Sequence, residues 1–222
     1  DAANILAEHI AGSIENFAQM MNNKAKEIGC TNTHFVTTNG VHDDNHYSSA
    51  YDLALMGRYA MKYDAIRNIV KKTQCSLPKT NKYNKEDRVF NTSNDLLRVN
   101  NIPGPDNYYY EYATGGKTGY TDKSRTTLVT MADNGELELA AVVLYDFGAD
   151  TRAMFEYAFN NFSKVMLKDQ EKPEEIASYS DEDAYVLLPA GVSFSALKKN
   201  ITVKDASQGS GTVTYTYEGQ NV

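Results

Sequence analysis

A glycine-rich stretch with a single lysine carries the side chains that could bind an anion. Residues 113–121 read Ala-Thr-Gly-Gly-Lys-Thr-Gly-Tyr-Thr. The Lys117 ammonium would attract an anionic group, and the Thr118 hydroxyl could hydrogen-bond to it. Glycine weakens a strand unless a backbone or a ligand must come close, so the three glycines suggest a ligand beside the strand. The triplet Lys-Thr-Gly alone is equally compatible with a plain strand that carries a solvated lysine.

The residues that follow predict a β-hairpin that would position this stretch. Residues 125–132 are rich in β-branched side chains, which favour strands. Asn134-Gly135 is a strong signal for a tight turn, and residues 137–147 continue as a more apolar strand. The triplet should therefore lie at the border of a small antiparallel sheet. We expect three adjacent strands, at 114–120, 126–132 and 138–145.

Helical spacing is found on both sides of the predicted sheet. Asp150 could cap a helix over 151–167 that would cover the sheet. Upstream, Ser13 and either Ser48 or Ser49 are suited to helix N-caps. We expect helices at 2–11, 14–28 and 51–61, with a further helical turn after residue 64.

Several stretches resemble the D-alanyl-D-alanine carboxypeptidases of peptidoglycan maturation. Lys-Thr-Gly is one of three signatures of the penicillin-recognising serine enzymes. The similar stretches are 115–123 with Leu128-Val129, 34–41 with 46–54, and 91–97. The resemblance runs from Asp1 to about Ala190. It departs after the triplet, where the family usually has Ala-Gly and this chain has Ser124-Arg125, which adds a positive charge.

The resemblance implies a substrate and a set of binding residues. In this family a serine attacks the carbonyl of the penultimate D-alanine and forms an acyl-enzyme. Lys117 and Thr118, with Gly119 and Tyr120, would bind a peptidoglycan stem peptide that ends in D-Ala-D-Ala, with the first two on its terminal carboxylate. The backbone N–H of Tyr120 would be one oxyanion-hole donor. β-Lactams would inhibit the intact enzyme, which would act outside the cytoplasmic membrane without a cofactor.

The catalytic motifs of the family are not found in this sequence. The resemblance implies that S-x-x-K lies well before Asp1 and that S-x-N would end just before it. Residues 76–79 and 195–198 match S-x-x-K by letter, but neither context suits a nucleophile at the start of a buried helix. No S-x-N occurs. We therefore expect an N-terminally truncated chain that has no catalytic residue of its own and is inactive alone.

Two other functions are compatible with the triplet. A class A β-lactamase shares Lys-Thr-Gly, although no Glu-x-x-Leu-Asn loop is present to supply a deacylating base. A non-catalytic sensor or wall-binding protein of the same fold is the second alternative. An upstream S-x-x-K motif would distinguish an enzyme from such a binding protein.

Composition and the remaining polar residues narrow the function classes. The net charge of −7 argues against nucleic acid, and no apolar run approaches the ~20 residues of a membrane span. Residues 42–46 combine two histidines with two aspartates, but they lack a third well-placed ligand, so an exposed polar loop is expected rather than a metal site. Cys30 and Cys75 could pair or stay free.

The pattern as a whole predicts an α+β fold with two parts. Residues 1–168 would form part of a penicillin-recognising transpeptidase/β-lactamase-like domain, with an antiparallel sheet and helices. Residues 169–222 contain short alternating stretches, which predict a small, incomplete β-rich domain. Between the predicted helices and the sheet, residues 71–113 are the least readable part of the sequence, with a polar loop at 79–88 and a turn at 103–106.

Overall fold

The computed structural model describes residues 2–99, 108–145 and 148–222. In these residues the α-helices are α1 (Ala2–Ala11), α2 (Ile14–Glu27), α3 (Ala50–Ala60), α4 (Asp64–Val70) and α5 (Gly148–Asn161). The strands are β1 (Gln74–Leu77), β2 (Arg88–Asn91), β3 (Ala113–Thr121), β4 (Arg125–Asp133), β5 (Glu138–Leu144), β6 (Phe162–Met166), β7 (Tyr185–Pro189), β8 (Lys198–Asp205), β9 (Ser210–Tyr217) and β10 (Gln220–Asn221). The turn predicted at 103–106 lies outside the described residues.

The chain forms two compact units. One contains Asp1–Asn134 and Glu138–Phe155, and the other contains Gly135–Leu137 and Glu156–Val222. The domain boundary placed after residue 168 stays a prediction.

The predicted three-stranded sheet is confirmed in the first unit. Its strand order is β3-β4-β5, and both pairs are antiparallel. Lys117 lies opposite Val129, and Thr118 lies opposite Leu128. Gly135 adopts a φ of 91°, which L-residues rarely take, so the Asn-Gly turn forms as its sequence indicates.

Helix α3 lies against β4 and β5, while α4 lies against β3. The approach of α3 is close at Gly57, where a Cβ would lie 2.4 Å from the Met131 Cε atom. The expectation that the helix near residue 151 covers the sheet stays a prediction. In the first unit α5 stacks Phe155 on Tyr110, with ring centroids 5.9 Å apart.

The bounds predicted for α5 are wrong. The helix begins at Gly148 rather than after an Asp150 cap, and it ends at Asn161 rather than near Leu167. Residues 162–166 instead form β6, which pairs with β7. A strand partner is available there, and Val165 has a β-branched side chain that favours a strand, so pairing prevails over continued helix.

The N-terminal helices follow their predicted caps. Helix α1 has the predicted bounds. The Ser13 hydroxyl accepts a hydrogen bond from the Asn16 backbone N–H at 3.1 Å at the start of α2. The Ser49 hydroxyl accepts one from the Asp52 N–H at 3.2 Å at the start of α3. Each cap satisfies an N–H that has no partner within its helix.

Asp52 ties the segment after α2 to the first turn of α3. Its side chain is 0% exposed. Its Oδ2 accepts hydrogen bonds from the Asn32 N–H and the Thr33 hydroxyl, each at 2.7 Å. The Thr33 hydroxyl, followed by the backbone N–H groups of Asn32 and Thr31, lowers the pKa of Asp52 although burial opposes this effect. The carboxylate is therefore kept ionised and holds residues 31–33 in place.

A two-stranded hairpin, β1 paired with β2, was not predicted. Its register sets Gln74 opposite Asn91 and Leu77 opposite Arg88. Every residue of both strands is exposed, so neither strand has a buried apolar face by which the sequence could have identified it. The hairpin leads directly into residues 92–97, which contact the sheet at β3.

The second unit is rich in β-structure, as predicted. Strand β6 pairs with β7, and β8, β9 and β10 form a separate antiparallel sheet. Its core consists of the buried side chains Leu167, Val186, Leu188 and Tyr215. The Tyr215 and Tyr179 hydroxyls lie 2.8 Å apart, so the buried phenol keeps a hydrogen-bond partner.

Candidate functional site

The predicted binding residues lie together on the second half of β3. Lys117 is exposed, and its ammonium donates a hydrogen bond to the Thr118 carbonyl. Thr118 and Gly119 are half-buried, and the Tyr120 side chain is exposed. The lysine therefore has its charge at the surface of an edge strand, where an anion can reach it.

The Thr118 hydroxyl has a partner that the sequence did not reveal. Its Oγ1 lies 2.6 Å from the Oγ of Ser93, which is a short separation for two hydroxyls. Ser93 belongs to one of the stretches that carry the family resemblance, but no role was assigned to it. No local pattern could have paired residues that lie 25 positions apart.

Asn94 holds the loop that carries Ser93. Its side chain is 2% exposed. The Asn94 Oδ1 accepts a hydrogen bond from the Leu96 N–H at 3.1 Å, and its Nδ2 lies 3.5 Å from the Thr130 hydroxyl on β4. The Leu96 carbonyl accepts a hydrogen bond from the Tyr110 N–H at 2.9 Å. A buried amide thus fixes the loop beside the sheet, and its neighbour Ser93 remains at the surface.

The glycines of the stretch are explained by the packing of the protein itself. A Cβ on Gly116 would lie 2.5 Å from the Val129 carbonyl oxygen, and one on Gly119 would lie 2.5 Å from the Thr127 hydroxyl. A Cβ on Gly115 would lie 2.6 Å from the Val70 side chain of α4. These contacts account for all three glycines, so their presence is not evidence for a ligand.

A polar cleft adjoins the C-terminal end of β3. Its volume is about 520 Å³. It lies between the loop before residue 43 and the β3–β4 turn, and is lined by Asn39, Gly40, Val41, His42, Tyr120, Thr121, Asp122 and Lys123. The Tyr120 hydroxyl donates to Asp122 at 3.3 Å, which directs the ring along this rim. A ligand bound along β3 would meet polar groups at this end of the strand.

The turn between β3 and β4 contains the departure from the family pattern. Arg125 has a φ of 56°, in the left-handed region that favours glycine. The Ser124 N–H donates to the Thr121 hydroxyl at 3.0 Å, and the two side-chain hydroxyls lie 2.8 Å apart. The turn therefore has a backbone conformation suited to glycine while carrying an arginine.

The two serines that match S-x-x-K by letter do not begin helices. Ser76 is an exposed residue of β1. Ser195 lies in a short 3-10 segment, and its hydroxyl is 2.7 Å from that of Ser193. Neither has the position at a buried helix start that the mechanism would require, in agreement with the sequence interpretation.

The polar loop at 42–46 has structural partners. The Nδ1 atom of His46 accepts hydrogen bonds from the Val36 and Thr37 N–H groups at 3.1 Å each, and burial lowers the pKa of His46. His42 lies 3.1 Å from Asp44. Within the described ranges no group of three or more His, Cys, Asp or Glu residues could hold a metal ion. The structure also answers the cysteine question, because both thiols are free.

Comparison with known proteins identifies the family. A sequence model described as D-alanyl-D-alanine carboxypeptidase, peptidase family S11, matches residues 1–148. The chain belongs to this family. The D-alanyl-D-alanine carboxypeptidase DacF of Bacillus subtilis is 32% identical over 92% of this chain and 54% of its own length. The recognition based on residues 115–123, 34–54 and 91–97 is thereby confirmed.

Solved structures of the family share the fold. A penicillin-binding protein 5 from Haemophilus influenzae matches 99% of this chain and 66% of its own with a TM-score of 0.71 at 23% identity. A D-alanyl-D-alanine carboxypeptidase from Mycobacterium tuberculosis matches 72% of this chain and 58% of its own with a TM-score of 0.58 at 28% identity. The predicted α+β fold of helices and antiparallel sheet is confirmed.

The chain spans about half the length of the curated relatives it matches, with shares of 54% and 58% for the first two. In the ranges that the structure describes, no helix has the length and apolar character needed to cross a membrane.

Proposed function

We propose that this chain forms part of a serine-type D-Ala-D-Ala carboxypeptidase of peptidoglycan maturation. The observation that carries the proposal is the Lys-Thr-Gly triplet on edge strand β3, with the Lys117 side chain exposed, in a member of the S11 family. The substrate is a stem peptide that ends in D-Ala-D-Ala. β-Lactams act as inhibitors, and the place of action is outside the cytoplasmic membrane.

Lys117 and Thr118 bind the terminal carboxylate of the substrate. The ammonium supplies a charge, and the hydroxyl supplies a directed hydrogen bond. Both belong to consecutive residues of a strand whose register with β4 is continuous from Gly115 to Thr121, which supports a rigid binding edge. A requirement for a free C-terminal carboxylate follows, because an amide or an ester would bring no charge to pair with the ammonium.

Gly119 and Tyr120 form the continuation of this edge beside the scissile bond. The Tyr120 backbone N–H donates to the oxygen that becomes negative in the tetrahedral intermediate, a role that contributes about 3–4 kcal/mol in characterised hydrolases. A short residue at 119 is required by the Thr127 hydroxyl on β4. Ser76 and Ser195 match S-x-x-K by letter, but neither begins a buried helix. Neither is therefore assigned as the attacking serine.

The test uses the protein encoded by the complete gene. A labelled penicillin and a peptide ending in D-Ala-D-Ala are supplied separately, with the same peptide amidated at its C-terminus as the matched control. We expect a covalent penicillin adduct, D-alanine release from the free acid, and at least a tenfold slower release from the amide. Penicillin acylation without D-alanine release would instead favour a sensor, and rapid turnover of the penicillin would favour a β-lactamase.

A further inference from the structure

Ser93 contacts the hydroxyl of the triplet from a loop outside β3. We propose that Ser93 is a positioning residue that orients the Thr118 hydroxyl toward the bound carboxylate. This inference rests on the function proposed above and goes beyond it, since it assigns part of the carboxylate selectivity to that loop.

The Ser93 and Thr118 hydroxyls are close enough to share one hydrogen bond. Ser93 Oγ and Thr118 Oγ1 lie 2.6 Å apart. Each hydroxyl has one proton to donate and two lone pairs that accept. One of the two protons therefore lies between the oxygens, and the pair offers the other to a ligand. A Thr118 hydroxyl without this partner would rotate freely and would have to be ordered when the ligand binds.

A carboxylate selects one of the two directions of this hydrogen bond. With an anion beside Lys117, Thr118 donates to the anion, and Ser93 donates to Thr118. Two hydrogen bonds in series polarise each other, so the proton that Thr118 offers becomes a stronger donor. With a neutral ligand these two hydrogen bonds are strengthened less, because the group that accepts from Thr118 carries no charge. Ser93 therefore favours anionic C-termini over neutral ones.

The loop holds Ser93 from both sides while leaving its side chain at the surface. The preceding Thr92 donates its N–H to the Thr73 carbonyl at 2.8 Å, and its hydroxyl accepts from the Asn94 N–H at 3.2 Å. Asn94 is buried against β3 and β4. The Ser93 side chain itself contributes nothing to the core, since the residue is exposed. Its fixed place beside Thr118 thus comes from its neighbours.

The test compares variants of the protein encoded by the complete gene. Ser93→Ala removes the partner hydroxyl, and Ser93→Thr keeps one. The matched control is Ser193→Ala, which removes an exposed serine from a hydroxyl pair in the second unit. Thr118→Val removes the hydroxyl that Ser93 is proposed to orient, alone and combined with Ser93→Ala. Release of D-alanine from a D-Ala-D-Ala peptide is measured together with thermal melting.

We expect Ser93→Ala to lower kcat/KM roughly 3- to 10-fold, as for loss of one neutral hydrogen bond, mainly through a higher KM. Ser93→Thr should stay within about twofold of wild type, and Ser193→Ala should be unchanged. In a protein that already carries Thr118→Val, Ser93→Ala should have almost no further effect.

Three results bear against the inference. An unchanged KM for Ser93→Ala overturns it while leaving the proposed function intact. If Ser93→Ala lowers kcat/KM by the same factor with and without Thr118→Val, the inference is also overturned. Such a result would mean that Ser93 acts on the structure independently of the Thr118 hydroxyl. A wild-type protein that neither releases D-alanine nor reacts with penicillin overturns the inference together with the proposed function.

Discussion

Asn94 packs so closely on Gly116 that a Cβ at position 116 would lie 2.8 Å from the Asn94 Nδ2 atom. On the other side, the same Cβ would lie 2.5 Å from the Val129 carbonyl oxygen of β4. The backbone oxygen cannot move without disturbing the β3–β4 pairing. Any side chain at position 116 is therefore excluded by both the sheet and the loop that carries Ser93.

Gly116→Ala should destabilise the chain and displace this loop. Overpacking of this kind costs about 1–3 kcal/mol. Urea unfolding of the 222-residue chain should show a lower midpoint with an unchanged slope. A variant as stable as the wild type would show that the loop and β4 accommodate the methyl group, and the account of the glycines would be wrong.

Asp52 should make stability fall at acidic pH. Its folded pKa is lowered, so its contribution is fully present above the unfolded pKa and is lost as the pH falls through the folded value. The unfolded pKa is about 3.9, so the loss should begin near pH 4–5 and continue below it. Unfolding midpoints between pH 3 and pH 7 measure this dependence.

Asp52→Asn should lower the melting temperature at pH 7 by roughly 5–15 °C and flatten the acid dependence. The amide nitrogen would face the N–H donors that now bind the carboxylate. Asp44→Asn is the control, because the Asp44 side chain is 94% exposed. Equal melting temperatures for the two variants would contradict the role given to the buried carboxylate.

Arg125→Gly should stabilise the β3–β4 turn. The left-handed conformation costs an L-residue about 1–2 kcal/mol, and glycine removes most of this cost. Glycine also makes the unfolded chain more flexible, which opposes folding, so the net stabilisation should be about 0.5–1 kcal/mol. Arg125→Ala separates strain from charge, since alanine keeps the strain and removes the guanidinium. If the alanine variant were the more stable of the two, the conformation at φ 56° would not be the cause.

The 222-residue chain alone should form no covalent adduct with a labelled penicillin. Neither Ser76 nor Ser195 begins a buried helix where a neighbouring lysine could activate it. Intact-mass spectrometry after long incubation measures this. A stoichiometric acyl adduct would show that one of the serines in this chain is a nucleophile, and peptide mapping would begin with those two.

Local signals accounted for the sheet and the N-terminal helices but not for their packing. Asn134-Gly135 and the capping serines act within a few residues, so the hairpin and the starts of α2 and α3 could be predicted. The close approach of α3 to the sheet at Gly57 brings that residue to Met131 of β4, and no neighbouring residue indicates this contact.

The partner of Thr118 was unpredictable for a similar reason. Ser93 reaches it only because the exposed β1–β2 hairpin and the buried Asn94 bring a distant loop beside β3. The family resemblance marked the stretch 91–97 as significant, whereas the residue that makes the contact was found from the structure alone.

Lys117→Ala in the protein encoded by the complete gene tests the central claim most directly. The matched control is Lys198→Ala, an exposed strand lysine of the second unit. A charge-assisted hydrogen bond to a carboxylate contributes about 1.5–3 kcal/mol. We therefore predict a loss of roughly 10- to 100-fold in kcat/KM on a D-Ala-D-Ala peptide, partly recovered by Lys117→Arg, with unchanged thermal melting. A change of less than about twofold, equal to that of Lys198→Ala, would mean that Lys117 is a solvated strand lysine and that β3 does not bind the carboxylate.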